Sequence, residues 1–561
     1  MNECKFEEKD AESGIYQSPD PNCVANPFIT NAFYEGDKAC MTRYQALNNR
    51  NYRNEWMAAF IVVAESHEDI QKSINFAKKY NIGVSVINTG HELLDRNAGP
   101  GPNTLMIRTT CFRDWIPNLN DSIEDANGHN WTDGYADVGA GLSFGTNFWN
   151  KIKNAEGLYR LSANVSREIV GGSCESVGIL GWMIGGGRGL TSPFYGLGVD
   201  QLISAKLIDG NGNNVTANAT NEHKDIFFAI KGGGYGFGVI YSIRIKLHKP
   251  RCKQLIGLDP LNVVPTMENC YIQHKAQWLG HYERDLTPEY VKNITKHYLT
   301  WSNESRPNYN SVLALKYTDG NYSLSIFGTS FGQEDPHPFK KAFEEFQKDR
   351  IYFDKNTGEH TTSTEDRTDV WNITTSKYFC EKFPNYPSDS NCTFRQWHLE
   401  RWLGSVRFLL DKSILNNSFV DDLIKSWQPC CDENNYAACI SGIYLTGDLP
   451  DENVQVTESA LSPGFRKAYW QVFNGNVNSN NVNMTDKQKD EWLHATFAPR
   501  MYKYSTSSYF NEAEYTLDPG QWERRFWGEE NHCKLLEHKR KYDPDQVFGC
   551  RHCVGNEDGP L

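Results

Sequence analysis

Short apolar runs alternate with amphipathic stretches over the first 250 residues, a pattern that predicts strands separated by helices and turns. Four apolar runs predict buried strands: Ala58–Ala64, Gly83–Ile87, Val199–Asp209 and Val239–Leu247. After the first run, Ser66 and Asp69 have the spacing of a helix-capping box in which Asp replaces the usual Glu. Apolar residues then recur at helical spacing at Ile70, Ile74 and Ala77. Residues 58–87 therefore predict a strand–helix–strand unit.

The pattern changes after Pro250-Arg251, where we expect a domain boundary. Residues 322–326 alternate between apolar residues and serine, which is typical of a half-buried antiparallel strand. Pro338–Arg350 predicts a helix with phenylalanines on one face, and Lys534–Tyr542 predicts a last helix that ends at Asp543-Pro544. The expected fold class is α+β.

Four parts of the chain are expected from these changes of pattern. They are a lead-in at 1–50 that disulfides pin, a first domain at 51–250, an antiparallel-sheet domain at 251–500 and a C-terminal segment at 501–561.

Charge and hydropathy exclude two classes of partner. The chain carries 57 Lys and Arg residues against 70 Asp and Glu residues, a formal net charge of −13. Nucleic-acid binders normally present a basic face, so we expect no nucleic-acid partner. No apolar run approaches the roughly 18 to 20 residues that span a bilayer, so we expect no membrane span.

Cysteine and asparagine patterns predict an oxidising compartment. The 15 cysteines exceed what a reduced cytosolic chain uses. Asn-x-Ser/Thr sequons occur at Asn120, Asn130, Asn164, Asn214, Asn218, Asn293, Asn303, Asn321, Asn372, Asn391, Asn416 and Asn483. We therefore expect a secreted protein, or one in the secretory lumen, that carries N-glycans. Met1–Asp10 lacks an apolar leader, so we expect that a signal peptide has been removed. An asparagine-rich composition that generates sequons by chance is the alternative.

Residues 171–200 and 232–238 are dense in glycine, which lets a backbone approach an anion closely. Neither a P-loop nor a dinucleotide-binding fingerprint is present, since Gly234–Gly238 only approaches the second. Cys550-Arg551-His552-Cys553 has no second cysteine pair to complete a zinc site, and an oxidising compartment favours disulfides over a metal site, so we expect no metal. Which cysteines pair with one another stays open. The sequence singles out no base for Cys174 as a protease nucleophile.

Four groups of residues occur in the order of one known family. Thr89-Gly90-His91 follows a predicted strand, and glycine-rich segments follow at 172–200 and 231–240. The tail contributes Tyr509–Glu514, Trp527-Gly528 and Lys539–Phe548. Together they resemble the vanillyl-alcohol-oxidase-type (PCMH) flavoproteins, and the tail is similar to the closing motif of their berberine-bridge-enzyme-like branch.

The resemblance implies FAD that is bonded to His91 and Cys174, held by a PCMH-type domain of two α/β subdomains at 51–250. A substrate domain at 251–500, with an antiparallel sheet covered by helices, is implied to follow, and the tail returns to the FAD domain. The implied cofactor-binding residues are His91, Cys174, Asn88, Thr89, Gly90, Gly172, Ser173, Val177, Gly178, Gly181, Trp182, Gly238, Val239 and Asn511. An odd cysteine count agrees with a flavin-bonded Cys174, although Cys111 or Cys252 could equally be the unpaired thiol.

The sequence departs from the family pattern at several of these positions. Glu175-Ser176 replaces a frequent Pro-Thr, and Glu92 replaces a frequent Ser. Trp182 stands where the plant enzymes often have His. Leu190 lies where oxygen access is tuned in the plant branch, and a bulky residue there could slow reoxidation.

A catalytic base must remove the hydroxyl proton as the hydride leaves. The tail offers Tyr509 first and Glu512 second, if the pKa of the tyrosine is lowered or that of the carboxylate is raised. In an extended segment, Tyr509 and Asn511 would face one way and Glu512 the other. A base from the middle domain is an equal alternative.

The resemblance implies an FAD-dependent oxidoreductase that acts on CH–OH donors, with an oxidase favoured over a dehydrogenase. Secretion, glycosylation and abundant aromatic residues favour a sugar or oligosaccharide that is oxidised to its lactone, with O2 as acceptor and H2O2 released. Oxidation or cyclisation of a secondary metabolite, such as an aromatic alcohol, alkaloid or polyketide, is the alternative. A catalytically silent secreted flavoprotein is a third hypothesis.

Overall fold

The computed structural model describes residues 60–92, 96–97, 103–144, 157–172, 177–189, 191–249, 271–280, 288–304, 309–318, 321–331, 360–363, 402–416, 418–427, 438–445, 456–477, 497–512, 520–550 and 552–556. The predicted helix Pro338–Arg350 lies outside these residues, as do Ser173, Cys174 and Leu190.

The first sheet is built from the predicted strand–helix–strand unit and one more strand. Its elements are β1 Phe60–Val63, α1 His67–Tyr80, β2 Gly83–Ile87 and β3 Thr104–Arg108. The strands are parallel in the order β1-β3-β2. The capping box of α1 is confirmed, since Ser66 Oγ accepts from Asp69 N at 3.2 Å and Asp69 Oδ2 accepts from Ser66 N at 3.0 Å. Ile70, Ile74 and Ala77 are fully buried against this sheet.

The second sheet is antiparallel and lies beside the glycine-rich segments. The elements of this region are β4 Trp115–Asn118, β5 Ile123–Glu124, β6 Asn130–Trp131, β7 Tyr135–Gly139, α2 Leu158–Asn164, α3 Ile179–Ile184, α4 Ser192–Tyr195, α5 Gly198–Gln201, β8 Leu202–Asp209, β9 Asn214–Asn218, α6 Lys224–Ile230 and β10 Gly238–Lys246. The strand order is β4-β7-β10-β8-β9, and β5 pairs with β6. The predicted strand Val199–Asp209 is wrong at its start, because Asp200 accepts from Leu197 N at 2.9 Å and residues 198–201 form a helical turn.

The middle of the chain forms a larger antiparallel sheet, as the alternating pattern predicted. Its elements are β11 Tyr271–Gly280, α7 Pro288–Glu304, β12 Tyr309–Thr318, β13 Asn321–Phe331, β14 His360–Ser363, β15 Trp402–Leu410, a 3-10 turn Lys412–Asn416, α8 Phe419–Trp427, β16 Ala438–Leu445, α9 Pro463–Arg466 and β17 Trp470–Val477. Seven strands lie in the order β14-β11-β13-β12-β16-β17-β15. With two parallel pairings in the first sheet and antiparallel pairings elsewhere, the α+β class is confirmed.

The C-terminal segment packs back onto the first two sheets. It contains α10 Ala498–Tyr502, a 3-10 turn Phe510–Glu512, α11 Trp522–Phe526 and α12 Gly528–Tyr542. The predicted helix Lys534–Tyr542 is the second half of α12. Lys539 Nζ donates to the carbonyl oxygens of Gly236 at 2.6 Å and Phe548 at 2.8 Å, and it pairs with Asp543. In the part of the chain that the structure covers, no helix is both long and apolar enough to cross a bilayer.

One buried histidine makes the stability of this fold depend on pH. The ring of His248 is 4% exposed, lies 4.1 Å from the ring of Tyr195, and places Nε2 2.6 Å from Oε1 of Gln201. Burial lowers the pKa of His248 to about 3, helped by the charge of Lys246 and opposed by that of Asp133.

Acidification is therefore expected to destabilise the protein through His248. An unfolded histidine takes a proton near pH 6.5 and the folded one near 3, so stability falls as the pH drops through this window, by up to about 5 kcal/mol. Urea unfolding between pH 7 and pH 4 measures the effect. His248→Phe keeps an aromatic ring at this position and removes the imidazole that takes up the proton. The stability of this variant should therefore fall less steeply with acid than that of the parent protein. Equal slopes for the two proteins would contradict the assignment.

Candidate functional site

Polar side chains gather at the carboxyl ends of the parallel strands β2 and β3, which lie side by side. Asn88 follows β2, and Thr109 and Thr110 follow β3. Both side-chain atoms of the Asn88 amide and both threonine hydroxyls are buried without a hydrogen-bond partner. Gly90 has a φ of +88°, a conformation that favours glycine and turns the chain towards His91. Strand ends of this kind are where open α/β sheets bind ligands.

Gly178 joins this strand end to helix α3. Its amide donates to Thr89 Oγ1 at 3.1 Å, and a Cβ at this position would lie 2.5 Å from Asn88 Nδ2. Any larger residue at 178 would therefore require the Asn88 amide to shift. Six residues earlier in the chain, the carbonyl oxygen of Gly172 accepts from Tyr159 OH at 2.6 Å. Val177 is half-buried beside Gly178.

Helix α3 carries two further predicted residues towards the glycine run. A Cβ on Gly181 would lie 2.9 Å from the hydroxyl of Tyr235, so glycine at 181 allows the segment at 231–240 to pack closely against α3. Trp182 is 8% exposed, and its Nε1 donates to the carbonyl oxygen of Arg188 at 2.9 Å. The indole N–H therefore holds the loop that follows the helix.

Two predicted cofactor residues, Gly238 and Val239, lie at the start of β10. A Cβ on Gly238 would lie 2.6 Å from the carbonyl oxygen of Ile208, so this glycine permits close strand pairing. The side chain of Val239 is fully buried in the core below the first sheet. Of Val239, only the backbone can face a cofactor.

The segment with the two predicted bases turns instead of running extended. Glu512 N donates to Tyr509 O at 3.0 Å, which closes a 3-10 turn over Phe510–Glu512. Asn511 Nδ2 donates to Trp182 O at 2.8 Å and to Tyr509 OH at 3.0 Å. A Cβ on Gly185 would lie 2.0 Å from Asn511 Oδ1, so the amide occupies the space beside this glycine. The segment is therefore not extended, and the opposite facing of Tyr509 and Glu512 that an extended strand would impose does not apply.

Arg188 is the side chain that both predicted bases approach. Its Nη2 lies 3.4 Å from Glu512 Oε2, and its guanidinium lies 4.9 Å from the centre of the Tyr509 ring. Gln471 on β17 bonds to Arg188 and donates from Nε2 to Glu512 Oε2 at 3.0 Å. The side chain of Glu512 is 30% exposed and that of Arg188 is 14% exposed. The carboxylate is therefore oriented by two donors and still reachable.

Tyr509 has a different environment from Glu512. It is 3% exposed and packs against the ring of Phe465 in a small apolar cluster. Burial raises the pKa of Tyr509 to about 12, with the charge of Glu512 acting in the same direction and that of Arg188 opposing it. The sequence hypothesis required a lowered pKa, and the shift has the opposite sign.

Sequence reasoning did not assign roles to Arg188 and Gln471. Arg188 lies inside the glycine-rich segment at 172–200, where one large cation among glycines was a signal for a functional side chain. Gln471 is fully buried in a strand between Trp470 and Val472, and a polar residue in such an apolar strand was a weaker one. Their 283-residue separation in sequence gave no indication that they meet.

The described cysteines bear on which thiol is unpaired. Cys550 and Cys553 form a disulfide, a pairing that the sequence had left open. Cys111 is also disulfide-bonded, which removes it as a candidate for the odd thiol, whereas Cys533 is free and exposed. Because Cys533 is free among the described residues, the odd count of cysteines no longer singles out Cys174 as the unpaired thiol. Among the residues described here, no group of three or more His, Cys, Asp or Glu side chains could hold a metal ion.

Two protein-family models match the segments that build this site. A model described as an FAD binding domain matches residues 58–218, which contain His91, Gly178 and Arg188. A model described as berberine and berberine like matches residues 508–555, which contain Tyr509 and Glu512.

Individual proteins match over most of the chain. VAO615, a VAO-type flavoprotein oxidase from Thermothelomyces thermophilus, is 23% identical over 513 residues, which cover 89% of this chain and 76% of that protein. The solved structure of the VAO-type flavoprotein MtVAO713 from Myceliophthora thermophila has a TM-score of 0.65 at 22% identity, covering 90% of this chain and 81% of that one. Glucooligosaccharide oxidase from Acremonium strictum has a TM-score of 0.61 at 18% identity, covering 89% and 92%. These likenesses confirm the expected architecture.

Proposed function

We propose that this chain, which belongs to the vanillyl-alcohol-oxidase-type FAD-linked oxidoreductases with a berberine-bridge-like C-terminal segment, oxidises a sugar or oligosaccharide at a hydroxyl-bearing carbon and passes the electrons to O2. The observation that carries the proposal is the reachable carboxylate of Glu512, held by Arg188 and Gln471 beside the glycine-rich segment. Oxidation of an anomeric hydroxyl yields a lactone, and O2 is reduced to H2O2.

The unpartnered polar atoms at the ends of β2 and β3 fit FAD. A buried donor or acceptor without a partner costs about 1–3 kcal/mol, and the hydroxyls and phosphate oxygens of a dinucleotide would supply partners. Asn88, Thr109 and Thr110 are placed to provide these contacts. The glycines at 90 and 178 leave the backbone room to approach the cofactor closely.

His91 and Cys174 are the proposed attachment points of the flavin. Gly178 bonds to Thr89, two residues before His91, and Cys174 precedes Gly178 by four residues. Four residues span at most about 14 Å, so the chain length is compatible with both side chains reaching one ring system. The Acremonium oxidase, whose fold this chain shares, is described as carrying 6-S-cysteinyl, 8α-N1-histidyl FAD.

Glu512 is the proposed base. Its carboxylate accepts the proton of the substrate hydroxyl, and the donors on Arg188 and Gln471 hold the accepting oxygens in one orientation. When bound, FAD accepts the hydride that leaves the same carbon. Tyr509 is not the proposed base, because its hydroxyl already accepts a hydrogen bond from Asn511 and its ring is buried.

A hydroxyl-rich substrate suits a site that presents the partly exposed guanidinium of Arg188 and carboxylate of Glu512. Two of the solved structures with this fold are oxidases named for chitooligosaccharide and glucooligosaccharide. Secretion is part of the proposal, and the exposed sequon asparagines support it. Asn120, Asn130, Asn164 and Asn214 all lie on the surface.

Anaerobic bleaching of the flavin tests the substrate class. The yellow holoprotein is mixed without oxygen with a panel of mono- and oligosaccharides, aromatic alcohols and amines. Sugars with a free anomeric hydroxyl should bleach the flavin, and the matched 1-deoxy sugars should not. Readmitted air should then restore the colour and release H2O2.

The other outcomes separate the remaining hypotheses. Bleaching only by aromatic alcohols or amines would replace the sugar proposal with oxidation of a secondary metabolite. A flavin that no compound of the panel bleaches would favour a binding protein without turnover.

A further inference from the structure

A buried ion pair begins at the residue that follows His91. Glu92 is 4% exposed and Arg96 is 3% exposed. Nε and Nη2 of Arg96 lie 3.0 Å and 2.9 Å from Oε1 of Glu92. Charges withdrawn from water this completely cost desolvation free energy, and such pairs often add little to stability compared with apolar packing. Stability is therefore a weak explanation for this pair.

The same arginine reaches the C-terminal segment. Its Nη2 donates to the carbonyl oxygen of Phe510 at 2.8 Å, and its guanidinium lies 3.9 Å from the centre of the Phe510 ring. The Phe510 ring packs directly against the backbone of Gly234, since a Cβ at that glycine would lie 2.3 Å from the ring. The ring of Tyr235 lies 5.6 Å from the guanidinium on another side. Arg96 thus joins segments more than 400 residues apart in sequence.

We infer that Glu92 and Arg96 are positioning residues that hold the His91 loop on the C-terminal segment. Glu92 is bonded through the backbone to His91, and Phe510 lies two residues before Glu512. The ion pair and its hydrogen bond to Phe510 therefore fix the separation between the side chain that attaches the flavin and the carboxylate that removes the proton. This inference rests on the proposed function for the roles of His91 and Glu512.

The carboxylate is needed because it fixes the guanidinium. Nε and Nη2 of Arg96 both contact Oε1 of Glu92, and this pairing orients the guanidinium so that Nη2 can also donate to the carbonyl oxygen of Phe510. Glu92→Gln keeps the size of the side chain and removes its charge. The buried guanidinium then loses its counter-charge, and both segments should open more often.

Hydrogen exchange of the holoprotein tests the link without using activity. In Glu92→Gln and in Arg96→Met, amides of residues 88–92 and 508–512 should both exchange roughly tenfold faster or more. Asp125→Asn is the matched control, because Asp125, in the turn after β5, forms an equally buried pair at 2.6 Å with Lys246 on β10 of the second sheet. It should leave both segments at the parent rate. Faster exchange at 88–92 with unchanged exchange at 508–512 would overturn the inference.

Retention of flavin by the denatured chain tests the consequence for His91. In a Cys174→Ala background, only His91 can hold the flavin, and adding Glu92→Gln should remove most of the retained colour. In a His91→Ala background, the same substitution should leave the flavin on Cys174 unchanged, and Glu92→Asp should rescue part of the loss in the first background. Equal losses in both backgrounds would indicate general destabilisation and overturn the positioning role.

The two measurements keep the inference and the proposed function separate. If Cys174→Ala retains no flavin even with Glu92 intact, attachment at His91 is wrong, and hydrogen exchange alone then decides whether the ion pair joins the two segments.

Discussion

Glu512→Gln should leave FAD bound and slow its anaerobic reduction by substrate by about 10²- to 10⁴-fold, the range for loss of a positioned base. The amide has the shape of the carboxylate and keeps a contact with Arg188, so the site should remain assembled. It has no lone pair basic enough to take the hydroxyl proton. Stopped-flow measurement of flavin bleaching in the absence of oxygen isolates this step from reoxidation.

Tyr509→Phe is the matched control for this prediction. Its ring is 3% exposed, burial raises the pKa of its hydroxyl to about 12, and that hydroxyl accepts a hydrogen bond from Asn511, so we propose no proton-transfer role for it. We expect a change of less than roughly tenfold, from a loosened Asn511. A loss for Tyr509→Phe as large as that for Glu512→Gln would return the role of base to the tyrosine.

Asp200→Asn should lower the free energy of unfolding by about 3–5 kcal/mol, the cost of breaking a buried ion pair. Asp200 is 1% exposed and accepts from Arg466 at 2.6 Å and 2.9 Å, and from Thr457 N at 3.0 Å. Lys231 is also buried beside it, and burial lowers the pKa of this lysine to about 7 although Asp200 opposes the shift. Removing the carboxylate therefore leaves the guanidinium of Arg466 without its counter-charge and lowers the pKa of Lys231 further.

Urea unfolding of the holoprotein at neutral pH measures this loss, and Asp137→Asn provides the comparison. Asp137 pairs with Arg244 at 2.6 Å, but their side chains are 24% and 30% exposed. Water screens that pair, and we expect a cost of at most about 1 kcal/mol. Similar losses of unfolding free energy for Asp200→Asn and Asp137→Asn would show that burial does not make the Asp200–Arg466 pair the more important of the two.

Local signals in the sequence predicted local structure well. The capping box at Ser66 and Asp69, the buried face of α1 and the strand at 321–331 all depend on residues a few positions apart. Helix α12 was predicted only from residue 534, because its first turn carries acidic residues and little apolar periodicity.

The features that the sequence did not predict depend on contacts between residues that are far apart in the chain. The turn at 198–201 forms where Asp200 meets Thr457 and Arg466, which lie more than 250 residues away. The bend after Tyr509 depends on Asn511 reaching Trp182, 329 residues earlier. The candidate site depends on the same kind of contact, since Glu512, Arg188 and Gln471 come from three separate parts of the chain. The tail motif predicted Glu512, whereas its partners needed the folded structure.

The mass and visible absorbance of the deglycosylated polypeptide in denaturant test whether FAD is covalently bound through His91 and Cys174. We expect a yellow chain heavier than the bare polypeptide by one FAD. His91→Ala and Cys174→Ala should each keep the colour after denaturation, and the double variant should lose it. A colourless parent chain, with Cys174 recovered in a disulfide, would contradict the account.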